Sequence, residues 1–354
     1  MRAPAEDVFG LVGHEIEQLR FERVVEQGGF GIVYRAWHVG LGVPVAVKCL
    51  RIQMPVDPAL GAQFRDRFRD EIKIAYHLSQ GNDDIARSLL GGTLRSPRTQ
   101  ALVPYMVMEW LEGHTLAEEL EARRGRGASG MPLAEAIHVL DPAVRAIAYA
   151  HSRGVWHRDV KPANLFLTAT PRGSRLKVLD FGLAKAADAE TIGTSGIETA
   201  QGLFLCSPSY AAPEQLDRRF GEIGARTDVY SLALVILEVL SGAKVRRVRT
   251  AAEALLLVAH PQATEVTPAS VGLDLPPPID AALRRALLRD TRARQADASE
   301  LWREITEGMG AVQRARSVRP APAAPARRPL LWIAFALLLV LTFGGGVATA
   351  WLVR

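Results

Sequence analysis

Between Leu19 and Leu50 apolar and polar residues alternate with glycine breaks, as LRFERVVEQ, GGFGIVYRAWHV, a GLG turn and VPVAVKCL. A period of two punctuated by glycine predicts three short antiparallel strands. The period then changes. FRDRFRDEIKIAYHLSQ (64–80) sets Phe64, Phe68, Ile72, Ala75 and Tyr76 at helical spacing, and LVPYMVMEWL (102–111) is a nearly continuous apolar run, which predicts a buried strand leading into a connector. LAEAIHVLDPAVRAIAYAHSRG, from Leu133, predicts a long helix interrupted or kinked at Pro142, where the ring removes a donor and crowds the preceding turn. From about residue 215 strand signals fade and helical runs take over at 228–242, 251–259, 279–288 and 298–306. The order is a small β-rich piece, a larger helical piece, a Pro/Ala/Arg stretch (310–329), and an uncharged run from Leu330 to Val353. That is an α+β chain with an appended apolar segment.

The apolar segment holds 24 residues without a charge. As a helix it is about 36 Å long at about 1.5 Å per residue, enough to cross a bilayer with some tilt. Five arginines between Arg314 and Arg328 precede it, so the excess of basic residues keeps the N-terminal body on the cytoplasmic side, as a single-pass inner-membrane protein. Gly344 with Ala348, and Gly346 with Ala350, repeat small residues four apart, a spacing that suits a homodimer through the span.

Net charge is +5, but six of the 43 basic residues lie at or beyond Arg314, where there is no acid. Residues 1–313 therefore carry 37 basic against 38 acidic residues, which argues against a nucleic-acid-binding body. The two cysteines, Cys49 and Cys206, cannot build a disulfide framework and point to a reducing compartment.

Chemistry concentrates in a few places. WHRDVKPANLFL (156–167) sets Asp159, Lys161 and Asn164 at steps of two and three before an apolar run. LKVLDFGLAK (176–185) places Asp180 between a strand and a glycine, 16 residues after Asn164. A carboxylate and an amide suit a hard cation such as Mg²⁺. EQGGFGIVY (26–34) is a glycine-rich turn whose backbone donors can approach phosphate oxygens, and VAVK (45–48) ends a strand in Lys48, one of only six lysines against 37 arginines. Glu71 on the following helix is a candidate partner for that ammonium. Together these residues fit phosphoryl transfer: Asp159 would orient a hydroxyl and take its proton, Lys161 would neutralise the migrating group, and Asn164 would hold a metal.

The ordered set GGFGIVY, VAVK, Glu71, HRDVKPAN, DFG, AAPE (211–214) and DVYS (228–231) resembles the eukaryotic-like protein kinases, and the alanine- and arginine-rich composition with a terminal anchor resembles their bacterial serine/threonine branch. The resemblance covers roughly residues 19–306. It implies a bilobal kinase fold with a short N-terminal extension (1–18), a β-rich N-lobe and hinge (19–111), a helical C-lobe (112–308), a juxtamembrane linker (309–329) and a transmembrane helix (330–353). It also implies a nucleotide site made of Val25, Glu26, Gly28, Gly29, Phe30, Gly31, Val33, Ala46, Lys48, Met108, Glu109 and Leu111, with Met108 as gatekeeper. Lys48, paired with Glu71, would bind the α- and β-phosphates; Asp159 would be the base beside Lys161; Asn164 and Asp180 would hold Mg²⁺ or Mn²⁺. Glu214 would pair with Arg294, and Asp228 would anchor the catalytic-loop backbone. Lysine two places after Asp159 resembles the serine/threonine subclass.

The implied activity is transfer of the γ-phosphoryl of ATP to serine or threonine of protein substrates, with autophosphorylation. The alternatives are a pseudokinase scaffold that binds nucleotide without transfer, and a small-molecule phosphotransferase, a class that generally lacks the AAPE segment and its arginine. Two departures stand out: Glu26 occupies the place of the usual first loop glycine, and Cys206-Ser207 replaces glycine-threonine, with the serine hydroxyl still able to contact Asp159 and Lys161. Thr199 first, then Thr194, Ser195 and Thr191, are candidate phosphosites whose added charge could pair with Arg158.

Overall fold

A computed structural model describes residues 6–28, 31–51, 58–170, 173–181, 207–248, 250–259 and 266–318. The chain divides into two compact units, Met1–Met309 and Gly310–Arg354. The predicted strands form as β2 (Leu19–Gln27), β3 (Gly31–His38) and β4 (Val43–Leu50), preceded by a two-residue β1 (Glu15–Ile16) and followed by β5 (Ser88–Arg95) and β6 (Leu102–Glu109). They make one antiparallel sheet in the order β1-β2-β3-β4-β6-β5. Strand β5 escapes the sequence reading because SLLGGTLR carries two glycines and no clean alternation.

Register decides which residues share a face. Val33 lies opposite Lys48, Lys48 opposite Met106, and Ala46 opposite Met108. Residues directly opposite in an antiparallel pair point the same way, so these five belong to one face. The other face packs Ile32, Tyr34, Ala36, Val45, Val47, Cys49, Tyr105 and Val107 into the main N-lobe core, where Phe9 and Leu11 are also buried. Residues 6–18 are therefore built into this lobe, as Tyr34 Oη donating to Asp7 (2.9 Å) and Ser96 Oγ donating to the Phe9 carbonyl (2.7 Å) also show. On the Lys48 side, α1 (Pro58–Gln80) packs Phe68, Ile72 and Ala75 against Leu50, Met106 and Met108. It is the helix expected over 64–80, begun six residues earlier.

The helical lobe is built around α5 (Ala225–Ser241), whose residues from Thr227 to Leu240 are all buried. Such a helix must be apolar on every side, so its few polar side chains are placed for a purpose. Around it lie α2 (Leu116–Gly125), α3 (Leu133–Ser152), α4 (Pro213–Leu216), α6 (Ala251–Ala259), α7 (Pro277–Ala286) and α8 (Ala298–Val318). Pro142 does not interrupt α3, which stays helical from Leu133 to Ser152 with proline inside. Helix α8 also runs past the expected boundary: GMGAVQRARSV contains good helix formers, and the first proline stands at position 320. A small second sheet, β7 (Gly113–Thr115), β8 (Leu165–Thr170) and β9 (Gly173–Val178), flanks the loops that carry Asp159 and Asp180. Its last strand ties the lobes together: Val178 N donates to the Asp84 carbonyl (2.7 Å), Ala86 N to the Val178 carbonyl (2.9 Å), and Lys177 Nζ pairs with Glu109 Oε1 (2.6 Å). Among the described residues no helix is long and apolar enough to cross a membrane; the 330–353 segment lies outside them.

Candidate active site

The loop 156–164 sits between α3 and β8, and its shape is imposed from below by Asp228 near the start of α5. The buried Asp228 carboxylate accepts from His157 N (2.7 Å), Arg158 N (2.8 Å) and His151 Nε2 (2.9 Å). Ala298 N, at the start of α8, donates to His151 Nδ1 (3.2 Å). That nitrogen is therefore the acceptor and Nε2 carries the proton. Burial alone would raise the Asp228 carboxyl; the hydrogen bond from His151, with help from the His157 backbone amide, outweighs it and holds the group below the ordinary aspartate range. Two backbone amides fixed on one carboxylate stabilise Arg158 in a left-handed conformation, φ +67°, a strained geometry for a residue with a side chain.

Asp159 follows. Its Oδ2 accepts from Lys161 Nζ (2.6 Å) and Asn164 Nδ2 (3.2 Å), and its Oδ1 from Ser207 N (3.0 Å). Lys161 Nζ also donates to Ser207 Oγ (2.7 Å), so the serine hydroxyl meets Lys161 as expected, whereas Asp159 is met by the Ser207 backbone N–H and not by the hydroxyl. Asn164 Nδ2 donates further to the Asp159 carbonyl (2.8 Å), which leaves its amide oxygen without a hydrogen bond among the described residues.

Leu179 sews the second carboxylate to this loop: its N–H donates to the Asn164 carbonyl (2.9 Å), and its carbonyl accepts from His157 Nε2 (2.8 Å). Asp180 comes next, also left-handed at φ +62°, and Phe181 packs edge-on against the His157 ring at 4.8 Å. Asp180 Oδ2 accepts from Lys48 Nζ at 2.6 Å, with side chains 13% and 18% exposed. This corrects the expected Lys48–Glu71 pair. Glu71 is buried on α1, but the carboxylate that meets the Lys48 ammonium is the one the left-handed turn at 180 presents. Burial would raise the Asp180 carboxyl; Lys48 more than compensates and lowers it.

The other expected nucleotide contacts among the described residues lie on or beside strands β2, β3, β4 and β6. Val33, Ala46 and Met108 share the Lys48 face; Leu111 is half-buried in the connector; Val25 and Glu26 are exposed on β2. The Glu109 side chain is engaged by Lys177 Nζ and by Arg87 N (2.8 Å). Gly28 N donates to the Gly31 carbonyl (2.9 Å), and a Cβ on Gly31 would lie 2.4 Å from the Cys49 carbonyl, so glycine is required there. Gly29, Phe30, Cys206 and the four candidate phosphosites Thr191, Thr194, Ser195 and Thr199 lie outside the described residues.

Beneath the site, Arg294 and Glu214 form a bidentate pair at 2.9 and 3.0 Å with both side chains fully buried. Thr227 Oγ1 donates to the same carboxylate (2.8 Å), and the Tyr230 ring lies under the guanidinium at 4.7 Å.

Lys48 on Asp180, and Asp159 with Lys161 and Asn164, are thus held together where a β-rich lobe meets a helical one. Residues 19–278 match the protein kinase domain. The chain belongs to that family. It is similar to serine/threonine-protein kinase Pkn1 of Myxococcus xanthus, 34% identical over 79% of this chain and 36% of that one. It is likewise similar to PknA of Mycobacterium tuberculosis, 31% identical over 88% of this chain and 66% of the other. It thus spans between a third and two thirds of the length of these relatives. Among solved structures, the PknI kinase domain of Mycobacterium tuberculosis shares the fold, with a TM-score of 0.60 over 84% of this chain and 98% of that one at 24% identity.

Sequence reasoning did not single out His151, whose partners Asp228 and Ala298 are brought to it only by the fold. Nor did it find Trp110, whose ring carries the Arg23 and Arg35 guanidinia at 5.7 and 5.4 Å.

Proposed function

We propose that this chain is a serine/threonine protein kinase that transfers the γ-phosphoryl of ATP to protein hydroxyls, itself included, from the inner face of the cytoplasmic membrane. One observation carries the reading: Lys48, Asp159, Lys161, Asn164 and Asp180 occupy one cleft, linked by hydrogen bonds of 2.6 to 3.2 Å. A scaffold without phosphotransfer has no use for all five. The donor set also fits a divalent cation. The Asn164 amide oxygen and the second Asp180 oxygen accept no hydrogen bond among the described residues. Two protein ligands suit Mg²⁺ or Mn²⁺ completed by phosphate oxygens and water. When bound at Asn164 and Asp180, that ion would offset the negative charge of the phosphates.

The protein's own residues account for the rest. Asp159 accepts the substrate hydroxyl's proton on a carboxylate held in place by Ser207 N and Asn164. Lys161 lies 2.6 Å from that carboxylate and neutralises the group in transit. Lys48 holds the inner phosphates, and the half-buried Val33, Ala46 and Leu111 enclose the base. Phosphate on Thr199 or its neighbours would draw on Arg158, two amides of whose loop are already fixed.

Membrane attachment by residues 330–353, and dimerisation through Gly344 and Ala348, are supported by the uncharged 24-residue run and its arginine flank. The test uses the full chain in detergent with labelled ATP and Mg²⁺. Label should enter the chain and a generic protein substrate, and Asp159→Asn should lose it; equal labelling by the variant would refute the assignment. Resistance of the chain to alkaline extraction from membranes, lost on deleting 330–353, tests the anchor.

A further inference from the structure

Resting on the kinase reading, we infer that the loop between α5 and α6 selects acceptor sites flanked by acidic or phosphorylated residues. The loop reads GAKVRRVR (242–249), and no acid lies between Glu238 and Glu253. Its position relative to the reacting centre follows from hydrogen bonds. Asp159 Oδ1 is held by Ser207 N at 3.0 Å, and two residues on, Ser209 Oγ donates to the Val248 carbonyl at 2.9 Å. Arg246, only 5% exposed, donates to the Ala211 carbonyl at 2.8 Å, reaches the Tyr230 hydroxyl and lies 5.0 Å from that ring. The loop is therefore fastened alongside 207–211. Two residues of chain and two hydrogen bonds separate it from the catalytic carboxylate by no more than about 15 Å, a distance covered by four or five residues of extended peptide.

The charges on that loop are unspent. Lys244 and Arg247 are exposed, and neither makes an ion pair among the described residues. The nearest acid, Glu238, is buried and already engaged by Arg124 Nη1 at 3.2 Å and by the Tyr210 hydroxyl. Arg124 also donates to the Gly242 carbonyl at 3.2 Å, which brings the arginine-rich end of α2 beside the loop. A peptide passing this loop thus meets two exposed cations, Lys244 and Arg247, that make no ion pair among the described residues. Basic flanking residues are repelled; carboxylates or phosphates are attracted.

The experiment compares acceptor peptides of one serine sequence, with flanking positions on either side changed to alanine, glutamate, phosphoserine or lysine, using the full chain and MgATP. The expected order of kcat/KM is phosphoserine, glutamate, alanine, lysine. Glutamate should exceed alanine by about three- to tenfold, since exposed charge pairs contribute about 0.2–1 kcal/mol each. Lys244→Glu with Arg247→Glu should abolish or invert that ratio, whereas Lys73→Glu, a charge change on α1, should keep it. Turnover of the alanine peptide with no glutamate preference overturns the inference and leaves the kinase reading intact; failure of every peptide together with absent autophosphorylation overturns the kinase reading itself. A preserved ratio in the double variant, with loss of binding to anionic vesicles instead, would reassign the loop to a lipid surface and also overturn the inference.

Discussion

At the scale of single residues, a few buried charges carry much of the architecture. Arg294 and Glu214 are fully excluded from water and satisfy one another. Removing one partner leaves the other charged in the interior, which costs more than the intact pair contributes. Arg294→Met should therefore lower unfolding free energy by about 3–5 kcal/mol. Arg294→Lys should recover little, because an ammonium cannot form the fork with Glu214 while reaching the Leu288 carbonyl and covering Tyr230. Denaturant titration checks both; a cost below about 1 kcal/mol would mean that the two charges are not buried as described. These positions were legible in sequence because a motif marks each of them. His151 was not, since its role depends on Asp228 arriving from 77 residues away and on an amide of α8. Proximity created by the fold leaves no local signal.

The elements differ in how far their sequences announce them. β3 and β4 alternate cleanly because only one of their faces is fully buried in the core, whereas β2 loses its alternation at two register shifts; β6 reads as unbroken apolar because α1 covers its second face. Glycines hid β5, and the proline in α3 suggested a break that tertiary packing on α5 overrides. The Lys48–Glu71 pair was inferred from element order, but which carboxylate meets the ammonium depends on the turn at Asp180, which sequence does not specify. Strand β3 offers a sharp test of sheet registry. Gly31→Ala would force the β3–β4 backbones apart at the Cys49 carbonyl, 2.4 Å from the added Cβ. It should cost about 1–3 kcal/mol, the range for overpacking, and raise the KM for ATP more than it lowers kcat; an unchanged KM would show that the turn does not shape the nucleotide site.

For the molecule as a whole, acid is the informative stress. Asp228 and Asp180 both bind protons less readily than ordinary aspartates. The stability they contribute is full above about pH 4, the ordinary aspartate value, and is lost as pH falls through their lowered values. Thermal midpoints should hold steady down to about pH 4 and then fall steeply, with the loop 156–164 and the lobe interior failing together; a midpoint that is flat to about pH 2 would contradict the buried network.

The burial of Phe9 and Leu11 bears on where this protein can be cut. The family match begins at residue 19, and a recombinant fragment trimmed there would strip two plugs from the N-lobe interior and take away the carboxylate that receives the Tyr34 hydroxyl. Losing a large apolar side chain from a core costs about 2–5 kcal/mol, so such a fragment would be a poor stand-in for the longer chain, and inactivity in it would not test the proposed phosphoryl transfer.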